Sequence, residues 1–261
     1  MTVESFFLIL FILAISIGGW KTKNLSSSGA VMAVVIGLFI GNAYGFKGLF
    51  VLGVFFLSSS IWSHLFKKAK VGIEDRLAKT SIRDWQQVLA NGGPAALFAL
   101  MFSLTGEEVF TFAFAASIAG ANSDTWASEI GPLSHKSPFS IRSFKRVPKG
   151  TSGAISLVGT AAAVIGSVII SLTALLMFDG MDFISLMLIT VSGFLGNIID
   201  TLLGAFVQLD FRCRVCGVHT ESTVHCGKQT ERTKGFWMNN ELVNALSSLM
   251  AGVILLLFYW R

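Results

Sequence analysis

Long apolar runs alternate along this chain with short acidic turns on one side and long basic loops on the other. A helix needs roughly 20 apolar residues to cross a hydrocarbon core. By that measure the runs predict about eight spans, near 4–20, 29–45, 47–66, 86–104, 107–121, 154–178, 182–206 and 240–260. The fifth is short from Val109 to Ala121, which predicts a broken helix ending in the protein interior, with Asn122 and Asp124 at membrane depth. In the fourth, Asn91-Gly92-Gly93-Pro94 puts two glycines and a proline within one turn and predicts a break or unwinding. The first run, Phe6 to Ile17, has no basic residue ahead of it and no small-x-small cleavage site behind it, so it is read as a span rather than a secretory signal.

Basic residues set the orientation. With the N-terminus outside, all of the 20 Lys and Arg except Lys47 and Arg261 fall in inner loops. The loop at 63–84 holds Lys67, Lys68, Lys70, Arg76, Lys79 and Arg83. Glu107, Glu108, Asp179 and Asp182 fall in the outer turns. The expected architecture is therefore an all-α, polytopic membrane helix bundle with both termini outside. It forms one integral membrane domain over 1–261, with a cytoplasmic motif loop at 122–153 and a small cytoplasmic cysteine loop at 208–238.

Composition agrees with this reading. Of 261 residues, 53% are hydrophobic and 13% charged, and the mean hydropathy is +0.69, which excludes an ordinary soluble domain. Glycine is abundant (26) and proline scarce (4), which suits helices packed through small residues rather than a porin-like barrel. Part of the basic excess is explained by contact with anionic lipid headgroups.

The densest polar stretch is Ala121 to Gly153. Asp124 and Glu129 lie beside Asn122 and Ser128, followed by Lys136, Arg142, Lys145, Arg146 and Lys149 and then by Gly150-Thr151-Ser152-Gly153. Carboxylates and hard oxygens suit magnesium, while cations and glycine-turn amides suit phosphate, so the set resembles the parts of a polyphosphate site. A bend invited by Gly131-Pro132 is expected to bring Asp124 and Glu129 together, since a five-residue spacing separates them on a regular helix. The Lys149–Gly153 run is expected at a helix N-terminus, where free amides attract anions; it is not a GxxxxGK[ST] loop. Asn197-Ile-Ile-Asp200-Thr201 echoes Asn122-Ser-Asp124-Thr125 and makes Asp200 a third carboxylate for the same cavity. Asn240, Glu241 and Asn244 open the last span, where a helix N-cap and a favourable dipole contact are the plain alternative to a site role.

All three cysteines lie in the last inner loop, as Cys213-x-x-Cys216 and His225-Cys226. A cytoplasmic loop disfavours disulfides, and the spacing suits a Cys3His zinc site with His219 or His225 as the fourth ligand. His225 is awkward because adjacent residues seldom both face one ion. Redox pairing is the alternative, without the surrounding βαβ pattern of thioredoxin-like proteins.

QVLANGG at 87–93, SDTWASEIG at 123–131, VPKGTSGAISLVGT at 147–160, DTLLGAFVQ at 200–208 and the CxxC…HC…NNELVN tail together resemble a known membrane family. It is the uncharacterised-domain family that contains transmembrane protein 19 and phytyl-phosphate kinase. The resemblance implies a nucleotide-dependent kinase, with CTP or ATP as donor and an isoprenoid monophosphate as acceptor. Asp124, Glu129 and Asp200 would then bind Mg2+, with Asn122 and Ser128 in support and Arg142, Lys145, Arg146 and Lys149 on phosphates. Asn91, Asn197, Glu241, Gly150, Thr151 and Gly153 complete the expected binding set. The bilayer, a nucleoside triphosphate and a lipid phosphate are the expected partners, without nucleic acid, at a bacterial plasma membrane with the site facing the cytoplasm. Two other classes fit the same residues: a lipid-phosphate or anion transporter or flippase, and a cytidylyltransferase.

Overall fold

The structure, a computed structural model, describes residues 3–66, 78–79, 81–235 and 237–259. Lys67, Lys68, Lys70, Arg76 and Arg261, counted above among the orienting cations, lie outside the described residues. Within the described residues the chain forms α1 (Val3–Lys21), α2 (Ser27–Leu65), α3 (Trp85–Thr105) and α4 (Val109–Ile130). After these come α5 (Leu157–Met177), α6 (Phe183–Phe206) and α7 (Asn240–Tyr259). Six of these helices are long and apolar enough to cross a membrane, and α4 is not among them.

α2 has 39 residues, too many for one bilayer crossing, and Gly45 interrupts it with φ 57° and ψ −143°. The second and third expected runs are thus two arms of one kinked helix. The arms double back, because both ends of α2 meet Arg83. Near the start, the Ser26 amide donates to Arg83 O at 3.0 Å; near the end, Ser60 Oγ accepts from Arg83 Nη1 at 3.0 Å.

α4 is the axle of the bundle and touches α2, α3, α5, α6 and α7. Every residue from Thr111 to Ser123 is buried. The expected break near Ala121 does not occur: α4 runs on through Asn122, Asp124 and Glu129, and the chain turns only at Gly131–Leu133 in one 3-10 turn. Polarity fails to stop the helix because its buried polar groups are bonded to its neighbours. Asn122 Nδ2 donates to Gly166 O at 2.7 Å, and Ser123 Oγ to Ala163 O at 2.9 Å, both on α5. The motif loop accordingly begins about ten residues later than 122.

α3 is likewise continuous, with Pro94 inside it, so the expected unwinding at Asn91-Gly92-Gly93-Pro94 is absent. Pro94 removes only the bond to Ala90 O. The small residues around it let α2 press close, and a Cβ on Gly92 would meet Ile36 at 3.0 Å.

Helices without a hydrophobic drive between them associate through close backbone approach. At the α4–α5–α6 crossing, a Cβ on Gly193 would lie 2.5 Å from Ser167 Oγ and 2.7 Å from Ala119 Cβ. At the α4–α7 crossing, a Cβ on Gly120 would lie 2.9 Å from Ala251 Cβ.

Both polar loops are folded rather than irregular. The first carries β1 (Phe139–Ser140), β2 (Lys145–Arg146) and β3 (Ala154–Ile155) in the order β2-β1-β3. In the cysteine loop, β4 (Asp210–Arg212), β5 (His219–Thr220) and β8 (Glu231–Lys234) form one sheet. There β6 (Val224–His225) and β7 (Lys228–Gln229) form a hairpin. At the end of the bundle opposite these loops, Lys47 Nζ pairs with Asp179 Oδ2 at 2.7 Å.

Gly193→Leu is expected to overpack the α4–α5–α6 crossing and destabilise the fold by about 1–3 kcal/mol. A lower melting temperature in detergent checks this, with Gly53→Ala, where an added Cβ meets nothing within 4 Å, as the neutral control.

Candidate active site and cysteine cluster

At one end of the bundle, α3, α4, α6 and α7 surround a polar cavity of about 340 Å3. Asn91 lies six residues inside the start of α3, while Asp124 and Asp200 lie six residues before the ends of α4 and α6. At 1.5 Å per residue, all three sit about 9 Å inside the helix ends.

Asp124 and Asp200 form its floor, close enough to share a hydrogen bond. Asn197 Nδ2 donates to Asp124 Oδ1 at 3.2 Å, and Ser247 Oγ to Asp200 Oδ2 at 3.1 Å. With its amide turned to satisfy both ends, Asn244 also donates to Asp200 Oδ2 at 3.2 Å. The donors are uncharged, so two adjacent carboxyl groups must share a proton or a cation between them. The echo between the Asn122–Thr125 and Asn197–Thr201 motifs has physical content at its Asp and Thr positions. The two aspartates meet, and Thr125 and Thr201 also line the cavity.

Glu129 lies on another wall. α4 does not bend between positions 124 and 129, so the two side chains leave the helix about 140° apart. Glu129 Oε1 accepts from Ser63 Oγ at 2.9 Å and lies within electrostatic reach of Arg83. The expected three-carboxylate cage is therefore divided into a pair, Asp124 and Asp200, and a separate Glu129.

Of the four cations expected at the cavity only Lys149 lines it, joined there by two from the loop before α3. Arg142, Lys145 and Arg146 lie on or beside the exposed β1–β2 hairpin and do not line it. Lys79, Arg83 and Lys149 do. Lys79 Nζ is paired with Asp84 Oδ2 at 2.8 Å and Glu241 Oε1 at 3.1 Å. Burial pulls the Lys79 ammonium down, but the bonds and charges of Asp84 and Glu241 outweigh it and hold the group above its ordinary value. Lys149 Nζ donates to Pro132 O at 2.8 Å, which fixes it at the rim.

Gly150, Thr151 and Gly153 line the cavity, but their turn leads into β3 rather than into a helix. The helix N-terminus nearby is that of α5, where Ser156 Oγ caps the Gly159 amide at 3.1 Å. Gly153 has φ 73°, and any Cβ there would collide with the backbone of Ala205 on α6. Glycine is required at this point because the turn presses directly on the helix that carries Asp200.

Ser128 and Glu241 line the cavity; Asn122 does not, being consumed in the α4–α5 contact. The N-cap of α7 is Asn239, whose Oδ1 accepts from the Leu242 amide at 3.0 Å. Sequence reasoning assigned no site role to Ser63, Gln208 or Glu221. All three line the cavity. Gln208 bridges Ser152 Oγ and Glu221 Oε1, each at 2.8 Å, and so ties the glycine turn to the cysteine loop. No local signal marks Ser63 or Glu221, because each reaches the site only through tertiary folding.

In the cysteine loop, one ligand atom each from Cys213, Cys216, His225 and Cys226 lies within 4.8 Å of all the others. Cys216 Sγ is 3.5 Å from His225 Nδ1 and 3.8 Å from Cys226 Sγ, and Cys226 Sγ is 3.2 Å from His225 Nδ1. Ligands held at about 2.0–2.3 Å around a tetrahedral ion stand about 3.3–3.8 Å apart. Adjacent His225 and Cys226 converge because Cys226 takes a left-handed backbone, φ 52°, before Gly227 at φ 71°. His219 turns away, with Nδ1 bonded to Asp210 Oδ2 at 2.7 Å. The Cys216 amide, helped by that of Val215, brings the Cys213 thiol down to about 6. Cys216 and then Cys213 crowd Cys226 and push it up to about 11. Sulfur and imidazole donors this close are the set that a bound cation would join.

Among curated proteins, the chain is 32% identical over 255 residues to an uncharacterised membrane protein of Methanocaldococcus jannaschii, covering 97% of this chain and 92% of the relative. It is 28% identical to Protein PGR of Arabidopsis thaliana, over 95% of this chain and 93% of that one. It is also 26% identical to the chloroplastic Protein VTE6 of the same plant, over 90% of this chain and 65% of that one. No solved structure matches. The family profile described as Integral membrane protein DUF92 matches residues 10–252, nearly the whole chain, and the protein therefore belongs to that family.

Proposed function

We propose that the protein is a membrane kinase that transfers the terminal phosphoryl group of CTP or ATP to an isoprenoid monophosphate, giving the diphosphate, with its site facing the cytoplasm. The observation that carries this reading is the meeting of Asp124 and Asp200 on the floor of a cavity that also holds Lys79, Arg83, Lys149 and the Gly150–Gly153 turn. Asp124 and Asp200 are the metal-holding pair, Asn197 orients the first, and Ser247 and Asn244 orient the second. A magnesium ion held there would draw the donor phosphates together and neutralise the charge that develops in transfer.

The step balances without an added acid or base of unusual strength. An oxygen of the acceptor monophosphate bonds to the terminal phosphorus of the nucleotide as that phosphorus parts from its bridging oxygen. The nucleoside diphosphate leaves with the electron pair. The acceptor phosphate is already largely ionised at neutral pH, so the protein has to position and neutralise rather than deprotonate. Lys149 and the glycine turn suit the donor phosphates at the rim, and Arg83 suits the acceptor phosphate on the opposite wall.

A transporter would draw support from a broken helix at Asp124, and α4 is unbroken. A cytidylyltransferase would leave a nucleoside monophosphate on the lipid. Purified protein with magnesium, labelled CTP or ATP and a panel of prenyl monophosphates is expected to give prenyl diphosphates. Nucleotide-independent lipid movement, or nucleotide label retained on the lipid, would select the other two classes. Asp124→Asn and Asp200→Asn should each lower turnover about 1000-fold or more, whereas Asn197→Ala should lower it about 10–100-fold. Full activity in either aspartate variant removes the metal assignment.

We also infer that Cys213, Cys216, His225 and Cys226 hold one structural zinc, the convergence of four ligand atoms being its support. Redox pairing of two thiols would give no role to His225. Elemental analysis should find about one zinc per chain, lost in Cys216→Ser together with several degrees of melting temperature. Freely titratable thiols and no metal would overturn it.

A further inference from the structure

A second cavity, of about 400 Å3, lies between α1 and the two arms of α2. Its walls are almost wholly carbon, with Ile12 and Ile15 from α1, Ile36 from the first arm, and Leu49 and Phe56 from the second. It is an open cleft rather than an enclosed void, with Phe11, Ile15, Phe50 and Leu57 of its lining exposed. Gly37, Gly53 and Gly92 all face it, and a Cβ built on Gly53 meets nothing within 4 Å.

The cavity meets the polar site along one stretch of its lining. There it is lined by Arg83, Gln87 and Asn91, and the same three residues line the polar cavity. Arg83 stands at the boundary, with its guanidinium carbon 5.7 Å from the centre of the Phe56 ring and a bond to Ser60 Oγ at 3.0 Å. A carbon-lined chamber that opens through a guanidinium into a site built for phosphates matches an amphiphile with an anionic head and one hydrocarbon chain. Its volume is at the small end of ligand pockets and suits a single chain rather than two.

We propose that the hydrocarbon chain of the acceptor lipid monophosphate occupies this cavity between α1 and α2, with its phosphate turning past Arg83 into the polar site. This rests on the kinase reading above and adds to it where the chain goes and what limits its length. Along the second arm the lined stretch runs from Leu49 to Leu57, about 12 Å of helix. Gly53 lies midway, so a large side chain there shortens the chamber without touching any residue assigned to phosphate or metal.

The test is Gly53→Phe, with Gly53→Leu as a milder variant should the first fold poorly, assayed on monophosphates carrying one to four isoprene units. The longest acceptors should lose about tenfold or more in kcat/KM while the shortest keeps its wild-type value. Equal losses at every length, or none, would overturn the proposal. Should the wild-type protein phosphorylate nothing, the kinase reading fails first, and the cavity is tested by binding. A photoactivatable farnesyl monophosphate should then crosslink within residues 49–57 of the wild type and not of Gly53→Phe. Crosslinking elsewhere, or equal crosslinking at 49–57 by a diacyl phosphatidic acid probe, would show that the chamber is not built for a single-chain lipid phosphate.

Discussion

Asp124 and Asp200 can meet only because α4 and α6 approach at a distance that side chains of ordinary size would forbid. Gly193 opens one contact, against Ala119 and Ser167; Gly196 opens the next, where a Cβ would lie 2.9 Å from Ala251 on α7. A bulkier residue at either point moves α6 outward and carries Asp200 with it. Close packing in lipid, usually discussed as a source of stability, here fixes the separation of two carboxyl groups. The burial of α4 on every side is part of the same constraint, because a helix held by five neighbours cannot shift to relieve the repulsion.

A carboxyl pair about 9 Å inside the helix ends is expensive to keep, and the rest of that end of the bundle is organised around it. Neutral donors from α6 and α7 set each carboxyl's direction. The glycine turn lies against α6 where that helix ends, and Lys234 Nζ closes the end by donating to Gly204 O at 2.6 Å. Gln208 then joins the turn to Glu221 in the cysteine loop. The cluster of Cys213, Cys216, His225 and Cys226 has a mechanical reason to exist in this frame. A small sheet of two- to four-residue strands has little core of its own, and a metal held by this cluster would cross-link the hairpin and keep Glu221 over the cavity.

The helical membrane fold was legible in the apolar runs, and the kink of α2 fell where two of them were separated. Where the reading failed, it took local polarity or local breakers for chain breaks. Asn122 and Ser123 are polar but find carbonyl partners on α5, so α4 has no reason to end; Pro94 costs α3 one bond in a segment otherwise made to be packed against. At the site, Asp124, Asp200, Asn91 and the glycine turn were visible because carboxylates, amides and glycines are conspicuous in an apolar chain. Of the expected cations Lys149 lines the cavity, whereas Arg142, Lys145 and Arg146 face out, because charge composition cannot say which side of a hairpin faces inward. The choice between His219 and His225 was open in the sequence, since the left-handed turn at Cys226 that brings His225 beside the cysteines has no signal beyond the glycine that follows.

The start of α3 is where these constraints join. Asp84 caps the helix in a reciprocal box with Gln87, and the same aspartate anchors Lys79, which in turn holds Glu241 at the start of α7. One residue earlier, Arg83 is bound through its backbone to Asn24 and Ser26 and through its side chain to Ser60. A single turn of chain thus fixes α2, α3 and α7 relative to one another, with the carbon-lined cavity on one side and the polar cavity on the other. Because Gln87 and Asn91 follow on the same helix, anything that tilts α3 alters both chambers together. The geometry of the apolar cavity and that of the polar one are therefore one variable in this fold rather than two.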